Sequence, residues 1–131
     1  MRALVFLGMY KEFGQPTPVS IMDSLGLCPD SIRDGVAGYL DSGVTVVAAT
    51  SFFDDVIDSD RLRIAQRRFL TDGYFVWPGC LGYYVREYGL EVPRELVDRA
   101  LMLGDVQPLL GSELQDIYET LVRISPVAEG C

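Results

Sequence analysis

The sequence predicts an α+β domain in which a small mixed or antiparallel sheet of about four strands, with a central β-hairpin, is covered by about five helices. The hairpin is indicated by Asp72-Gly73 between two β-rich runs, 66–71 and 74–77, because this pair favours the positive φ angles of a type I′ turn. Most of the apolar stretches with a helical period follow the strands and do not alternate with them. This segregation favours α+β over a parallel α/β sheet.

The composition is typical of one globular domain. With 131 residues, of which 49% are hydrophobic, the chain can bury a core without disulfides or a structural metal. We expect a single domain over residues 1–131, with a flexible tail at 125–131. The three cysteines, Cys28, Cys80 and Cys131, are odd in number and form no metal-binding spacing, which is typical of reduced thiols in a cytoplasmic protein.

The first half of the chain predicts two strands and two helices. The short apolar run Ala3–Met9 predicts a strand in the interior of the sheet and not a signal peptide. Capping signals and apolar spacing predict one short helix from Thr17 to Gly26 and a second from Asp30 to about Ser42. The β-branched run Val44–Ala49 predicts the second strand, and 52–60 predicts a surface turn or a short helix.

The second half predicts the hairpin and three helices. Pro78 ends the second hairpin strand because proline cannot donate to a β-ladder. Apolar residues with a period of 3.6 predict a helix over 80–88, closed by Gly89. Another helix follows from Pro93 to about Leu103, and a capping box at Ser112–Gln115 opens the last one.

The missing residue types restrict the chemistry. Histidine is absent, which removes the commonest general base and metal ligand, and no glycine-rich phosphate-binding motif is present. We therefore expect neither an enzyme nor a cofactor. The net charge of −8 repels nucleic acid and suits a basic protein partner. No apolar run reaches the roughly 20 residues of a membrane span.

The partner-binding candidates combine aromatic anchors with carboxylates. The aspartates after Phe53 could instead hold a hard cation, but they lack the glycine and the closing glutamate of a calcium loop, so we expect an exposed acidic surface. Charge complementarity and aromatic anchors are typical of protein interfaces. The candidates are Phe52, Phe53, Asp54, Asp55, Asp58 and Asp60, with Tyr83 and Arg86 as a second patch.

Two alternatives from other classes stay open. Trp77 and Tyr84, with Arg67 or Arg68, could line a pocket for a small molecule, although the same aromatic residues would serve equally as core. A homodimer could also form through an uncovered strand edge, which small mixed sheets often leave.

The hairpin and the following helix also carry a resemblance. Residues 71–78, T-D-G-Y-F-V-W-P, followed by L-G-Y-Y-V at 81–85, resemble a group of small bacterial proteins in which a T-D-G-x-x-x-W-P hairpin precedes an L-x-Y-Y-V helix. The resemblance covers about 36–97, and Cys80 stands where an acidic residue is expected in the group. Such proteins often accompany secreted toxins as immunity partners. The resemblance therefore implies a cytoplasmic immunity protein that inhibits a bacterial toxin by direct contact.

Overall fold

The computed structural model describes residues 4–124, and these form a four-stranded mixed sheet with the strand order β1-β4-β3-β2. The strands are β1 (Val5–Phe6), β2 (Val44–Phe53), β3 (Ala65–Thr71) and β4 (Phe75–Pro78). The last three pair in antiparallel fashion, and β1 runs parallel to β4. The predicted α+β class with a mixed sheet and a central hairpin is confirmed. The predicted tail at 125–131 and Cys131 lie outside the described residues.

Between residues 4 and 124, four α-helices and two short 3₁₀ turns accompany the sheet, where the sequence predicted about five helices. The helices are α1 (Asp30–Asp41), α2 (Leu81–Tyr88), α3 (Arg94–Leu103) and α4 (Gly111–Ile124). The predicted helix from Thr17 to Gly26 is only a 3₁₀ turn at Ile21–Ser24. It stops there because the Ser24 carbonyl accepts from the Glu91 amide, and the Gly26 amide donates to the Tyr88 carbonyl.

The strand β1 lies at the edge of the sheet, so its predicted interior position is wrong. Val5 and Phe6 pair only with Phe75 and Val76 of β4. The apolar run of this strand is explained by two separate hydrophobic clusters. Leu7 packs in the larger cluster, the main core, and Leu4 and Phe6 pack against a smaller one. Ala3, where the strand was predicted to begin, lies outside the described residues.

The hairpin turn is not of the predicted type I′. That turn needs positive φ at both central residues, but Gly73 has φ of 94° while Asp72 is not among the described residues with positive φ. Asp72 organises the turn with its side chain instead, because Oδ1 accepts from the amides of Tyr74 (2.9 Å) and Phe75 (2.8 Å). As predicted, the second hairpin strand ends at Pro78.

The second carboxylate oxygen of Asp72 joins the hairpin to two helices. Asp72 is buried, and Oδ2 accepts from the Tyr39 hydroxyl of α1 and from Nε of Arg99 on α3, the latter at 3.0 Å. The Arg99 guanidinium also lies 3.7 Å from the centre of the Tyr74 ring. Burial and the hydrogen bond to Asp72 both raise the pKa of Tyr39 above its ordinary value.

The two faces of the sheet bury two clusters because neighbouring strand residues point to opposite sides. Leu70 and Trp77 join α1 and α2 in the main core, whereas Phe69 and Val76 pack against the α4 residues Ile117 and Leu121. The helices α1 and α2 pack closely on each other. Gly82 permits this, because a Cβ at that position would lie 3.0 Å from the Ala37 carbonyl oxygen.

Candidate protein-binding surface

The loop between β2 and β3 is closed by its own backbone. The Ile64 amide donates to the Phe53 carbonyl at 2.9 Å, and the Asp55 amide donates to the Arg61 carbonyl at 2.9 Å. Inside these bonds, the Arg61 amide donates to the Asp58 carbonyl at 3.1 Å. The segment is therefore a compact loop with joined ends, of the kind that often carries function.

A buried carboxylate anchors this loop from below. Asp55 is only 5% exposed, and Oδ2 accepts from the hydroxyl groups of Tyr83 and Tyr88, each at 2.6 Å. Oδ1 accepts from the amides of Ile57 (2.7 Å) and Asp58 (2.9 Å). Four donors therefore replace the water that the carboxylate loses.

These donors determine the charge state of Asp55. Burial alone would raise the pKa of Asp55, but the hydrogen bonds from Tyr83, Tyr88 and the amides of Asp58 and Ile57 outweigh it, so the pKa lies below its ordinary value. The bond to Asp55, with some burial, raises the pKa of Tyr88. At neutral pH the anchor is a carboxylate held by neutral tyrosines.

A third tyrosine of α2 completes the anchor. The Tyr84 hydroxyl accepts from the Val56 amide at 2.9 Å, and Tyr84 is fully buried. The Tyr83 and Tyr84 rings meet edge to face at 5.3 Å, and the Tyr84 and Tyr88 rings stack at 5.9 Å. We call Tyr83, Tyr84 and Tyr88 with Asp55 the tyrosine clamp. It fixes the loop on one helix.

The outer side of the loop combines apolar and acidic side chains with two exposed arginines. The Arg63 guanidinium lies over the Phe52 ring, and Arg61 pairs with Asp58. Leu62 is 65% exposed, Phe52 44% and Val56 41%, which is high for residues that the hydrophobic effect favours burying. Asp54 and Asp60 are exposed, and Asp58 is partly exposed. We call this set the loop surface, and its members are Phe52, Asp54, Val56, Asp58, Asp60 and Leu62.

Four of the predicted contact residues belong to the loop surface, but Phe53 and Asp55 do not. Phe53 is 5% exposed and packs in the core, where its ring lies 6.0 Å from that of Phe13 and 4.7 Å from the Arg67 guanidinium. Strand alternation explains this, since Phe52 points outward and its neighbour must point inward. The expectation of an exposed Asp55 is wrong for a different reason: the clamp satisfies its charge inside the protein.

The two residues of the predicted second patch both have partners within the protein. Tyr83 is half-buried, and its hydroxyl group, besides donating to Asp55, accepts from Arg61 at 3.1 Å. Arg86 is exposed but lies against α1, where it pairs with Asp41 at 3.3 Å. Tyr83 therefore supports the loop, and Arg86 joins two helices.

Some functional candidates were missed by the sequence analysis. Val56 and Leu62 carry much of the apolar character of the loop surface, yet single apolar residues among charges give no periodic signal. Tyr88 shows in the sequence only as a member of the predicted helix over 80–88, and its hydroxyl contact with Asp55 joins residues 33 positions apart. The signal that could have indicated it is the pair Tyr83 and Tyr88, separated by a little more than one helical turn.

The pocket predicted around Trp77 and Tyr84 is not open. Trp77 is fully buried, and its Nε1 donates to the Leu40 carbonyl at 3.1 Å. Arg68 reaches the Thr45 hydroxyl instead, at 3.3 Å. These aromatic residues are core. Within residues 4–124, no group of three or more acidic or cysteine side chains is placed to hold a metal ion.

Comparisons of the chain with models of protein families, with curated proteins and with solved structures found no match. The resemblance of the hairpin and α2 to toxin-immunity proteins therefore stays a prediction. None of the helices in the described part of the chain is long and apolar enough to cross a membrane.

Proposed function

We propose that this protein is a non-catalytic binding protein of the bacterial cytoplasm, an immunity protein that neutralises a toxin by direct contact through the loop surface. The observation that supports this function is the tyrosine clamp. A loop held by four hydrogen bonds to one carboxylate loses little conformational entropy when it binds. An occluding protein needs such a rigid contact surface and no catalytic group.

The apolar residues of the loop surface supply the contact area. Phe52, Val56 and Leu62 can be removed from water by a partner, and each is attached to a backbone that is already ordered. Binding energy in protein interfaces is concentrated in a few such anchors surrounded by polar groups. The carboxylates of Asp54 and Asp60 belong to this polar surrounding.

The charge of the loop surface indicates the class of partner. Its three aspartates outnumber Arg61 and Arg63, the two arginines of the same loop, and the whole chain carries a net charge of −8, so a basic protein is attracted at long range and its association is accelerated. Many enzymes that act on nucleic acids are basic for the same electrostatic reason. A cationic toxin, such as a nuclease, therefore fits this surface.

The test uses the product of the neighbouring reading frame as the candidate toxin. We expect co-expression of this protein to restore growth, and Leu62→Asp to weaken binding by at least about tenfold, as loss of an interface anchor does. Leu110→Asp, a similarly exposed leucine before α4, is the matched control and should bind as the wild type does. Equal affinities of Leu62→Asp and the wild type would exclude the loop surface.

Charge is tested with a second pair of variants. Asp60→Lys lies on the loop surface, and Asp116→Lys lies on the exposed side of α4, so both change the net charge equally. We expect the first to slow association and to reduce its dependence on salt more than the second. Equal association rates of the two variants would mean that association depends only on the net charge of the protein.

A homodimer through β2 is the second candidate. β2 lies at the edge of the sheet with β3 as its partner there, and it extends over 10 residues. Its ladder with β3 is irregular between Thr45 and Val47 and between Ala48 and Phe52, and such bulges hinder pairing with another strand. Light scattering that shows a dimer at micromolar concentration would favour this candidate.

A further inference from the structure

A concave surface lies away from the loop surface and shares no residue with it. It is a groove of about 630 Å³ between the segment that leads into α1 and the helix α3. Leu27 lines the groove from the segment before α1, and Ile32 lines it from the first turn of α1. Val97 and Leu101 line it from α3. Its size falls within the usual range of binding sites.

Backbone hydrogen bonds connect the two sides of the groove. The Cys28 amide donates to the Gly89 carbonyl, and the Glu91 amide donates to the Ser24 carbonyl, each at 2.9 Å. These bonds join the segment before α1 to the segment before α3. On α1, Gly35 brings no side chain toward Leu101, whose Cδ2 would lie 3.6 Å from a Cβ at that position. Leu27 and Leu101 consequently stay 55% exposed.

The polar residues of the groove are mainly acidic. Glu91, Arg94 and Asp98 line it, and Arg94 pairs with Asp98 at 3.6 Å. The Glu91 carboxylate is exposed and forms no ion pair with any residue between 4 and 124. The groove therefore offers an apolar floor beside an uncompensated negative charge.

We propose that this groove binds a short, basic amphipathic helix of a partner protein. The lining residues of α3 run from Pro93 to Leu101, a length of about 12 Å at roughly 1.5 Å per residue. Two turns of an incoming helix match this length, with apolar anchors on Val97 and Leu101 and a basic side chain beside Glu91. Anionic lipid headgroups would be repelled by the same carboxylates.

The inference goes beyond the proposed function, because it requires neither a toxin nor the loop surface. It adds a second contact site on another part of the fold. Linked contacts at two sites on one partner would raise the overall affinity through effective concentration. Each site can be removed separately, so the two proposals can fail independently.

The probe is a labelled synthetic peptide of leucine and lysine, with leucines at i, i+3, i+4 and i+7 to form one apolar face. We expect it to bind the full chain, as measured by fluorescence anisotropy, and a peptide with glutamate in place of lysine to bind at least about tenfold more weakly. A scrambled peptide of the same composition should also bind weakly. Equal binding of the acidic or scrambled peptide would overturn the proposal.

Three protein variants locate the site. Leu101→Asp should weaken binding of the lysine peptide by about tenfold or more because it removes an apolar contact. This is expected even though the added negative charge attracts the basic peptide. Met102→Asp adds the same charge one residue further along α3, outside the groove, and Leu110→Asp adds it before α4, outside both surfaces, so both should bind as the wild type does. The proposal is wrong if all three aspartate variants bind the lysine peptide with the same affinity. It is also wrong if Leu101→Asp weakens binding of a small apolar dye but not binding of the lysine peptide.

Discussion

Tyr88 donates its hydroxyl group to the carboxylate of Asp55 at 2.6 Å, and the two residues lie 33 positions apart in the chain. This bond ties the loop surface to α2, and α2 in turn packs on α1. The loop is therefore supported by the core of the protein and does not depend on its own short-range contacts alone.

We expect Tyr88→Phe to lower the free energy of unfolding by about 1–2 kcal/mol, because it removes one donor from a buried carboxylate and leaves the ring in place. Urea unfolding measures this change. Tyr118→Phe on α4 is the matched control and should change stability by less than about 0.5 kcal/mol. Faster amide hydrogen exchange in residues 54–63 of Tyr88→Phe would show that the bond holds the loop.

Asp55 should also give the protein part of its acid sensitivity. Its pKa is lower in the folded protein than the ordinary value of about 3.9, so its contribution to stability is complete above that pH and is lost as pH falls through the folded pKa. We therefore expect the stability difference between the wild type and Asp55→Asn to shrink below about pH 4. Asp116→Asn controls for the lost charge, and an unchanged difference down to pH 2 would contradict the argument.

Arg99 should be required for the stability of the hairpin turn. Arg99→Ala removes the cation that faces the buried carboxylate of Asp72, and breaking a buried ion pair in this way costs about 3–5 kcal/mol. Because Tyr39 and two backbone amides still donate to the carboxylate, we expect a loss at the lower end, about 3 kcal/mol. The side chain of Arg99 is 25% exposed, whereas that of Arg94, which pairs with Asp98, is 89% exposed. Thermal unfolding of both variants measures this difference, and Arg94→Ala should cost less than about 0.5 kcal/mol.

Local signals predicted much of the fold. Asp72-Gly73 and Pro78 marked the turn and the end of the hairpin, and α2 follows its apolar period and ends before Gly89, whose φ is 64°. These features depend on residues that are neighbours in the chain. The edge position of β1 was not predictable in this way, because a run of apolar residues does not reveal whether a strand has one neighbour or two.

The buried carboxylates were the main failure of the sequence analysis. Aspartate is expected at the surface, and Asp55 and Asp72 are buried only because distant residues supply donors. Tyr39 lies 33 positions from Asp72, and Tyr83 lies 28 positions from Asp55. No pattern within a single segment contains this information. The sequence showed the acidic loop but not which aspartate holds it.

The residues that hold the loop in place are different from the residues that the loop exposes to solvent. Asp55, Tyr84 and Tyr88 lie beneath the backbone, while Phe52, Asp60 and Leu62 project from it. Exposed positions of this kind usually change stability by no more than about 0.5 kcal/mol when substituted. The outward residues can therefore be substituted with little loss of stability, while the framework underneath stays constant.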